Sequence, residues 1–445
     1  MKQQFYILLL TSILSCSANN NQISSSEITQ EKNTTLIHPG NVSDIAVYKA
    51  TPYSEEGAGY QALDFDQLPS DRIKKFSHID ETNDTEKLNE LIQNLSKKGG
   101  GKIYIQTGTY LFKEVTLQSN IHITIQEGTF IQMDHTKKGK NFLFNVGMIE
   151  GKPIVENVKI VGLGNLETRP KLILNRPKNT FYRAIALGYV KNVLIENIKI
   201  EDELTKGAAI AFNPVEIDNE TANIAQNVTI TNVELTGGSI GYGLVQTNVG
   251  KNILLKNLSS EGGMTCRVEA HTGRQYDLGV DNIVIKNVAS IHGKAAVLLQ
   301  PHSVLNGRVL VDAAKSEGST WTLFLKEGFV AKDSKRRTKG SFAPNSIFKN
   351  ISMSASDNTA TLSFKNFVLV PNTLKAFYKN PDFHPVLKDA NYGTTNGVLA
   401  RESAIIGASI AGIYIDAQYP LQLPKENEIV IIGKTENRLK ILDKR

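Results

Sequence analysis

Cysteine is almost missing from this chain. Of 445 residues only Cys16 and Cys266 carry a thiol, and the first lies in the opening leader, so no intramolecular disulfide framework can hold the body together. Past that leader no stretch approaches the roughly 20 continuous apolar residues that a membrane-spanning helix needs. Charge of one sign is scarce as well: 50 Lys and Arg stand against 44 Asp and Glu, a net +6, which does not point to nucleic acid. Helical periodicity is rare between the short strands, which argues against βαβ units. Stability must come from packing.

What is present begins with a leader. Lys2 precedes an apolar run from Phe5 to Leu10, and the segment closes on Ile13-Leu14-Ser15-Cys16, the pattern of an export signal. A cysteine directly after a small residue resembles the bacterial lipoprotein signal. Residues 1–16 therefore read as a lipoprotein-type signal peptide, and the chain as exported: either an outer-membrane lipoprotein touching the membrane only through a lipid on Cys16, or secreted. Residues 17–40 are rich in Asn, Ser, Gln and Thr, offer too little apolar surface to offset the entropy of ordering, and read as a flexible tether. Residues 41–445 are long enough for two or three domains, but a repeat architecture absorbs that length in one body.

The repeat is Asn followed by alternating apolar residues: Asn157-Val158-Lys159-Ile160, then the same pattern at Asn192, Asn227, Asn252 and Asn282, in steps of 35, 35, 25 and 30 residues. In four of these units a second Asn follows five residues later, at Asn197, Asn232, Asn257 and Asn287. Val and Ile at period two mark half-buried strands, and a coil of this length returning in register is the signature of a parallel β-helix. Asn at equivalent places can stack and hydrogen-bond from coil to coil while tolerating left-handed backbone at tight bends. The fold class expected is thus all-β, a right-handed parallel β-helix (solenoid).

Ahead of the coils, Leu88, Leu91, Ile92 and Leu95 share one helical face, with Asp84 as N-cap and Gly99 to Gly101 as the stop. This capping helix, residues 84–97, would cover the open sheet edge of the solenoid. Lys102 to Leu117 reads as the first paired strands, turning at Gly108. Strand signals at 347–353, 362–370 and 404–415 make residues 345–445 further coils or a second cap.

Strand alternation locates a candidate site. In Cys266-Arg267-Val268-Glu269-Ala270-His271, the small and apolar members face the core, which leaves Arg267, Glu269 and His271 outward together. Laying Val245 and Leu299 beside Val268 places Gln246 and Gln300 on either side of Glu269, and Asn248 and His302 on either side of His271. Asn213 and Lys326 fall one coil further out. On a strand, residues two apart are separated by about 6.6 Å, close to the roughly 6.5–9.5 Å at which inverting glycosidases hold acid and base. Glu269 would then protonate a leaving oxygen if Arg267 leaves its pKa high enough, and His271, or a carboxylate from Asp277 or Asp281, would activate water.

These residues resemble the iota-carrageenases of glycoside hydrolase family 82, over the leader, the capped β-helix from about residue 78 to 330, and the Glu269 strand. In that family a Glu-x-Asp pair on one strand serves as acid and base, so the resemblance makes Glu269 the acid and sets His271 where the base aspartate would stand. It makes Gln246 a neighbour of a halide, His302 a catalytic histidine, and a structural calcium or sodium ion an expected guest, with no cofactor required for the reaction. It implies a monomer and a sulfated red-algal galactan, an anionic polysaccharide cut within the chain at β-1,4 linkages. Arg267, Arg274, Lys294, Lys326 and the Lys335 to Arg337 loop become sulfate contacts, because a guanidinium fork matches sulfate geometry, and Gln300 a further substrate contact. Two other readings stay open: a β-helix polysaccharide lyase and a non-catalytic glycan-binding lipoprotein.

Overall fold

The computed structural model describes residues 53–354 except 62–67, 81–83, 135–140, 175–180, 204 and 318; beyond 354 it describes the segments 359–361, 404–406, 412–415, 430–433 and 440–442. The leader with Cys16, the tether, the expected strand at 362–370 and most of 345–445 lie outside the described residues.

Strands pair in parallel with the strand one coil on. Ile121–Ile125 lies between Gly101–Ile105 and Val155–Gly162, and the ladder continues through Val190–Glu201, Gln226–Thr247, Gly250–Glu269, Val280–Ile291 and Val309–Glu317. This is the expected parallel β-helix. The strands of the first coil, Gly101–Ile105, Thr109–Phe112 and Val115–Leu117, do not pair with one another around Gly108. Each pairs with the strand above it, because segments adjacent in sequence occupy different faces of one solenoid turn.

The repeat asparagines hold the corners. Asn157, Asn192, Asn227, Asn252 and Asn282 have φ of 58°, 64°, 52°, 55° and 51°, and their amides chain from coil to coil. Asn157 Nδ2 donates to Asn120 Oδ1 at 2.9 Å and Asn192 Nδ2 to Asn157 Oδ1 at 2.8 Å; Asn282 to Asn252 and Asn252 to Asn227 repeat the contact at 3.0 Å. A side chain is thereby satisfied where a left-handed bend would otherwise strand a buried polar group. Asn157→Ala is expected to cost about 2–4 kcal/mol, from a strained φ and lost amide bonds. Asn157→Gly should recover only the backbone share, and equal melting temperatures for the two variants would show that backbone strain plays no part.

The helix Asp84–Lys97 closes one end, with Leu88, Ile92 and Leu95 joining Ile103, Ile121 and Ile123 in the core. Asp84 is its first residue, and its carboxylate reaches backward, accepting from the Ile79 N–H at 2.7 Å and meeting His78 Nδ1 at 2.6 Å. Gly99 and Gly100 end the helix at φ of 88° and 114°. An unforeseen strap, Tyr53 to Gln61, crosses the outside of the coils. Ala58 packs on Leu254, Val284 and Leu310, while Glu55 engages Lys256 and Lys286 and Glu56 engages Arg308.

Candidate functional site

Cys266 and Val268 are fully buried in the core, so alternation turns Arg267 and Glu269 to the opposite face. The strand ends at Glu269. His271 therefore lies in the turn beyond it, its N–H donating to the Glu269 carbonyl at 2.6 Å, and strand spacing does not set the distance between these two side chains. One coil on, the strand Ala295–Gln300 ends just before Pro301, and His302 takes the left-handed region at φ 54°. Its carbonyl is pinned by the Phe329 and Gly340 N–H groups, both at 2.9 Å. A left-handed histidine so fixed is a backbone conformation that recurs at functional sites. The two histidine rings meet edge to face with centroids 5.6 Å apart.

The register differs from the alignment expected on one side. Glu269 does pair with Gln300, but Val245 pairs with Cys266 rather than Val268, which sets Gln246 beside Arg267 instead of Glu269. Between Gly238 and Gly243 the longer strand bulges before pairing resumes, and a slip of two residues leaves every inward residue inward, so alternation alone cannot detect it. Gly243 makes the close approach possible: a Cβ there would stand 1.9 Å from the Met264 carbonyl oxygen. Asn248 stays in the cluster, donating to Asn213 Oδ1 at 3.1 Å and accepting from Gln246 Nε2 at 3.3 Å.

Glu269 is gripped from both sides. One carboxylate oxygen meets His302 Nε2 at 2.9 Å and the other accepts from Arg267 Nε, while Arg267 Nη1 donates to the Gly241 carbonyl at 2.7 Å. On the far side of His302, Arg274 Nη1 stands 3.3 Å from Nδ1. Arginine can only donate, so Nδ1 accepts and the ring proton sits on Nε2, pointing at Glu269. Burial opposes ionisation of Glu269, which is 5% exposed. The Arg267 charge and the His302 hydrogen bond outweigh that and hold its pKa well below the usual carboxylate range. The resting carboxyl is thus ionised, the state opposite to that of a proton donor. The His271 imidazole loses hydration where it packs against His302, and this, with the Arg274 charge, moves its pKa below 6.5.

Several cations expected to face sulfate are committed within the protein. Arg274 makes a bidentate pair with Asp333 at 2.8 and 2.9 Å, and Arg336 makes one with Asp277 at 3.0 and 2.9 Å. Lys335 Nζ donates to the Glu220 carbonyl at 2.9 Å. Arg274 and the Lys335 to Arg337 loop therefore act as braces between the turn after Glu269 and the loop after Lys326. The same pairing occupies Asp277, one alternative base, and Asp281, the other, sits on Val280–Ile291 at 4.0 Å from Lys251. Lys294 and Lys326 converge over the Phe324 ring at 5.3 and 5.7 Å, and Phe324 stands opposite Leu298, which stands opposite Arg267.

Sequence reasoning missed Asp333, Tyr242 and Arg183. A signal for the first existed: Arg274 and Asp277 are spaced as Asp333 and Arg336 are, with the charges reversed. Among the described residues no group of three or more His, Cys, Asp or Glu side chains is placed to hold a metal ion. A cavity of about 350 Å³ beside the capping helix, lined by Thr116, Gln118, Ile149 and Pro153 among others, shares no residue with this cluster.

Fold and cluster together define a parallel β-helix protein with a carboxylate, two histidines and two arginines gathered where strands end on one face. No family model matches the chain. An iota-carrageenase from Alteromonas macleodii is 31% identical over 287 residues, 61% of this chain and 56% of that one. The structure of an iota-carrageenase complexed to iota-carrageenan fragments matches at 26% identity and a TM-score of 0.54, over 65% of this chain and 61% of that one. The family 82 iota-carrageenase from A. fortis shares the fold over 91% of this chain and 94% of its own, at 20% identity and a TM-score of 0.64. The chain is similar to iota-carrageenases over about 60% of its own length, and it spans about half the length of the curated relatives it matches.

Proposed function

We propose that this chain is a glycoside hydrolase that cleaves an iota-carrageenan-type sulfated galactan within the chain at β-1,4 linkages, with inversion. The observation that carries the reading is Glu269 held between Arg267 and His302, beside His271, on the solenoid of an iota-carrageenase homologue. A sulfate group on the incoming sugar competes for the Arg267 fork. As Arg267 leaves, burial dominates at Glu269, its pKa rises, and it takes up a proton. It delivers that proton to the glycosidic oxygen as the bond to the anomeric carbon breaks. Water adds to that carbon from the other face and gives its proton to neutral His271.

His302 orients Glu269 through its Nε2–H, and Arg274, braced by Asp333, fixes the His302 tautomer. Gln246, Gln300, Lys294 and Lys326 line the floor on which the polymer lies. A halide, when bound, would be held by the Gln246 amide and the Arg267 guanidinium, which are both donors and pair across the ladder, and its charge would temper that of Arg267. The leader fits this reading, because a polymer of this kind must be cut outside the cell, whether the protein is anchored at Cys16 or released. The ionised resting state of Glu269 favours one second reading, in which Glu269 activates the water and another group supplies the proton.

Release of new reducing ends from iota-carrageenan tests the proposal. A charge-based grip also makes a separate expectation: affinity for the sulfated galactan should fall as added salt shortens the screening length to about 10 Å at 0.1 M. Neutral agarose bound as tightly at low salt would show that charge recognition plays no part.

A further inference from the structure

Among the described residues five arginines pair with a carboxylate. Arg169 has Glu234, Arg267 has Glu269, Arg274 has Asp333, Arg308 has Glu56 and Arg336 has Asp277. Arg183 does not. It sits on the strand Tyr182–Leu187, is only 6% exposed, and among the described residues its one hydrogen bond is from Nη1 to the Ala208 carbonyl at 3.2 Å. Its guanidinium lies 4.9 Å from the Phe181 ring centroid, and a Cβ placed on Gly207 would stand 3.7 Å from its Cζ. Two small residues, Gly207 and Ala208, thus border this cation. A buried guanidinium with one carbonyl for company is costly to keep unless an anion joins it.

The neighbourhood connects Arg183 to the candidate site. Arg267 stacks on Tyr242 at 5.6 Å, and the Tyr242 hydroxyl, its pKa raised by burial, feels the charges of Arg267, Arg183 and Glu269 together. Burial, followed by the Arg267 charge, lowers the Arg183 pKa to about 10, so Arg183 keeps its proton at neutral pH. Arg183 and Arg267 therefore act on the same tyrosine, while the Glu269 carboxylate is taken by Arg267 and His302.

We infer that Arg183 is the main contact of a sulfate-ester subsite beside the Glu269 cluster, with the guanidinium fork on the sulfate oxygens and Phe181 as its backing. This deepens the proposed function and rests on it for the sugar that carries the sulfate. The binding of the anion itself does not depend on catalysis.

The test compares the wild-type protein with Arg183→Met and Arg183→Lys. Melting temperatures are taken in sodium sulfate and in sodium chloride at equal ionic strength, because sulfate stabilises proteins in general and only the difference between proteins is informative. The wild type should gain more from sulfate than Arg183→Met does, with Arg183→Lys between them. Without sulfate, Arg183→Met should melt no lower than the wild type, since it removes an uncompensated buried charge; a structural arginine would give the opposite. On iota-carrageenan, Arg183→Met should raise KM by about ten- to a hundredfold, the usual worth of a hydrogen bond to a charged group, with a much smaller change in kcat. Equal sulfate gains in all three proteins, or none in any, would overturn the subsite. A sulfate gain confined to the wild type in a protein that cleaves no galactan would keep the anion site and discard the hydrolase. Should Arg183→Met not fold, the sulfate gain of Arg183→Lys decides alone, and a gain equal to that of the wild type counts against the subsite.

Discussion

Glu269→Gln is expected to lower hydrolysis of iota-carrageenan by about 10²- to 10⁴-fold, the usual contribution of a positioned acid or base. The amide keeps the volume of the carboxyl but cannot carry the proton. The structure adds a second expectation. Glu269 accepts from Arg267 on one oxygen and from His302 on the other, and a glutamine offers one acceptor and one donor, so one neighbour meets an N–H group where it needs an oxygen. Removing one partner from a buried ion pair typically costs about 3–5 kcal/mol, an upper bound here because the amide retains one acceptor and Arg267 keeps the Gly241 carbonyl. Far-ultraviolet circular dichroism should therefore show an intact solenoid with a lowered melting temperature. A folded variant that keeps more than a few per cent of the parent rate would remove Glu269 from either role at the reacting bond.

The second large effect concerns His271 and pH. A base works unprotonated, so the rate is full above its pKa and falls as pH drops through it. Dehydration and the Arg274 charge place the His271 pKa below 6.5, which puts the acidic limb of the profile on the acid side of that value. His271→Ala should remove most of the rate and the limb with it. His271→Asp should return activity and move the limb toward the ordinary carboxylate range near about 4, since it restores the Glu-x-Asp pair of the resembled family. His302 also contacts Glu269, so the profile must be measured on His302→Ala as well. A profile for His271→Ala that keeps the parent's shape would end the assignment of the base, and with Asp277 paired to Arg336 and Asp281 facing Lys251, the search would turn to a group outside this cluster.

The solenoid was legible because its signals are local and repeated. The repeated Asn marks the left-handed corners directly, and the structure places Asn157 through Asn287 there, most of them with their amides bonded from coil to coil. The inward and outward faces of 266–269 followed from alternation, and Gln300 fell opposite Glu269 as expected. What escaped depends on contacts with no local trace. The Gln246 register slipped by two because the bulge before Gly243 changes length without changing facing. His271 was read onto a strand that ends two residues earlier. Arg274 and Arg336 read as free cations, since partners 59 residues away cannot be seen in a charge pattern around either one. The strap at 53–61 was not foreseen, because only its contacts with residues such as Lys256 and Arg308 make it structural.

Hydrolysis at Glu269 stands or falls on what happens to the polymer. Purified protein incubated with iota-carrageenan should generate new reducing ends and shorter chains, with no rise in near-ultraviolet absorbance from an unsaturated product. An absorbance rise in step with cleavage would make this β-helix a lyase, and binding without any new reducing ends would make it a glycan-binding protein; either result contradicts hydrolysis at Glu269.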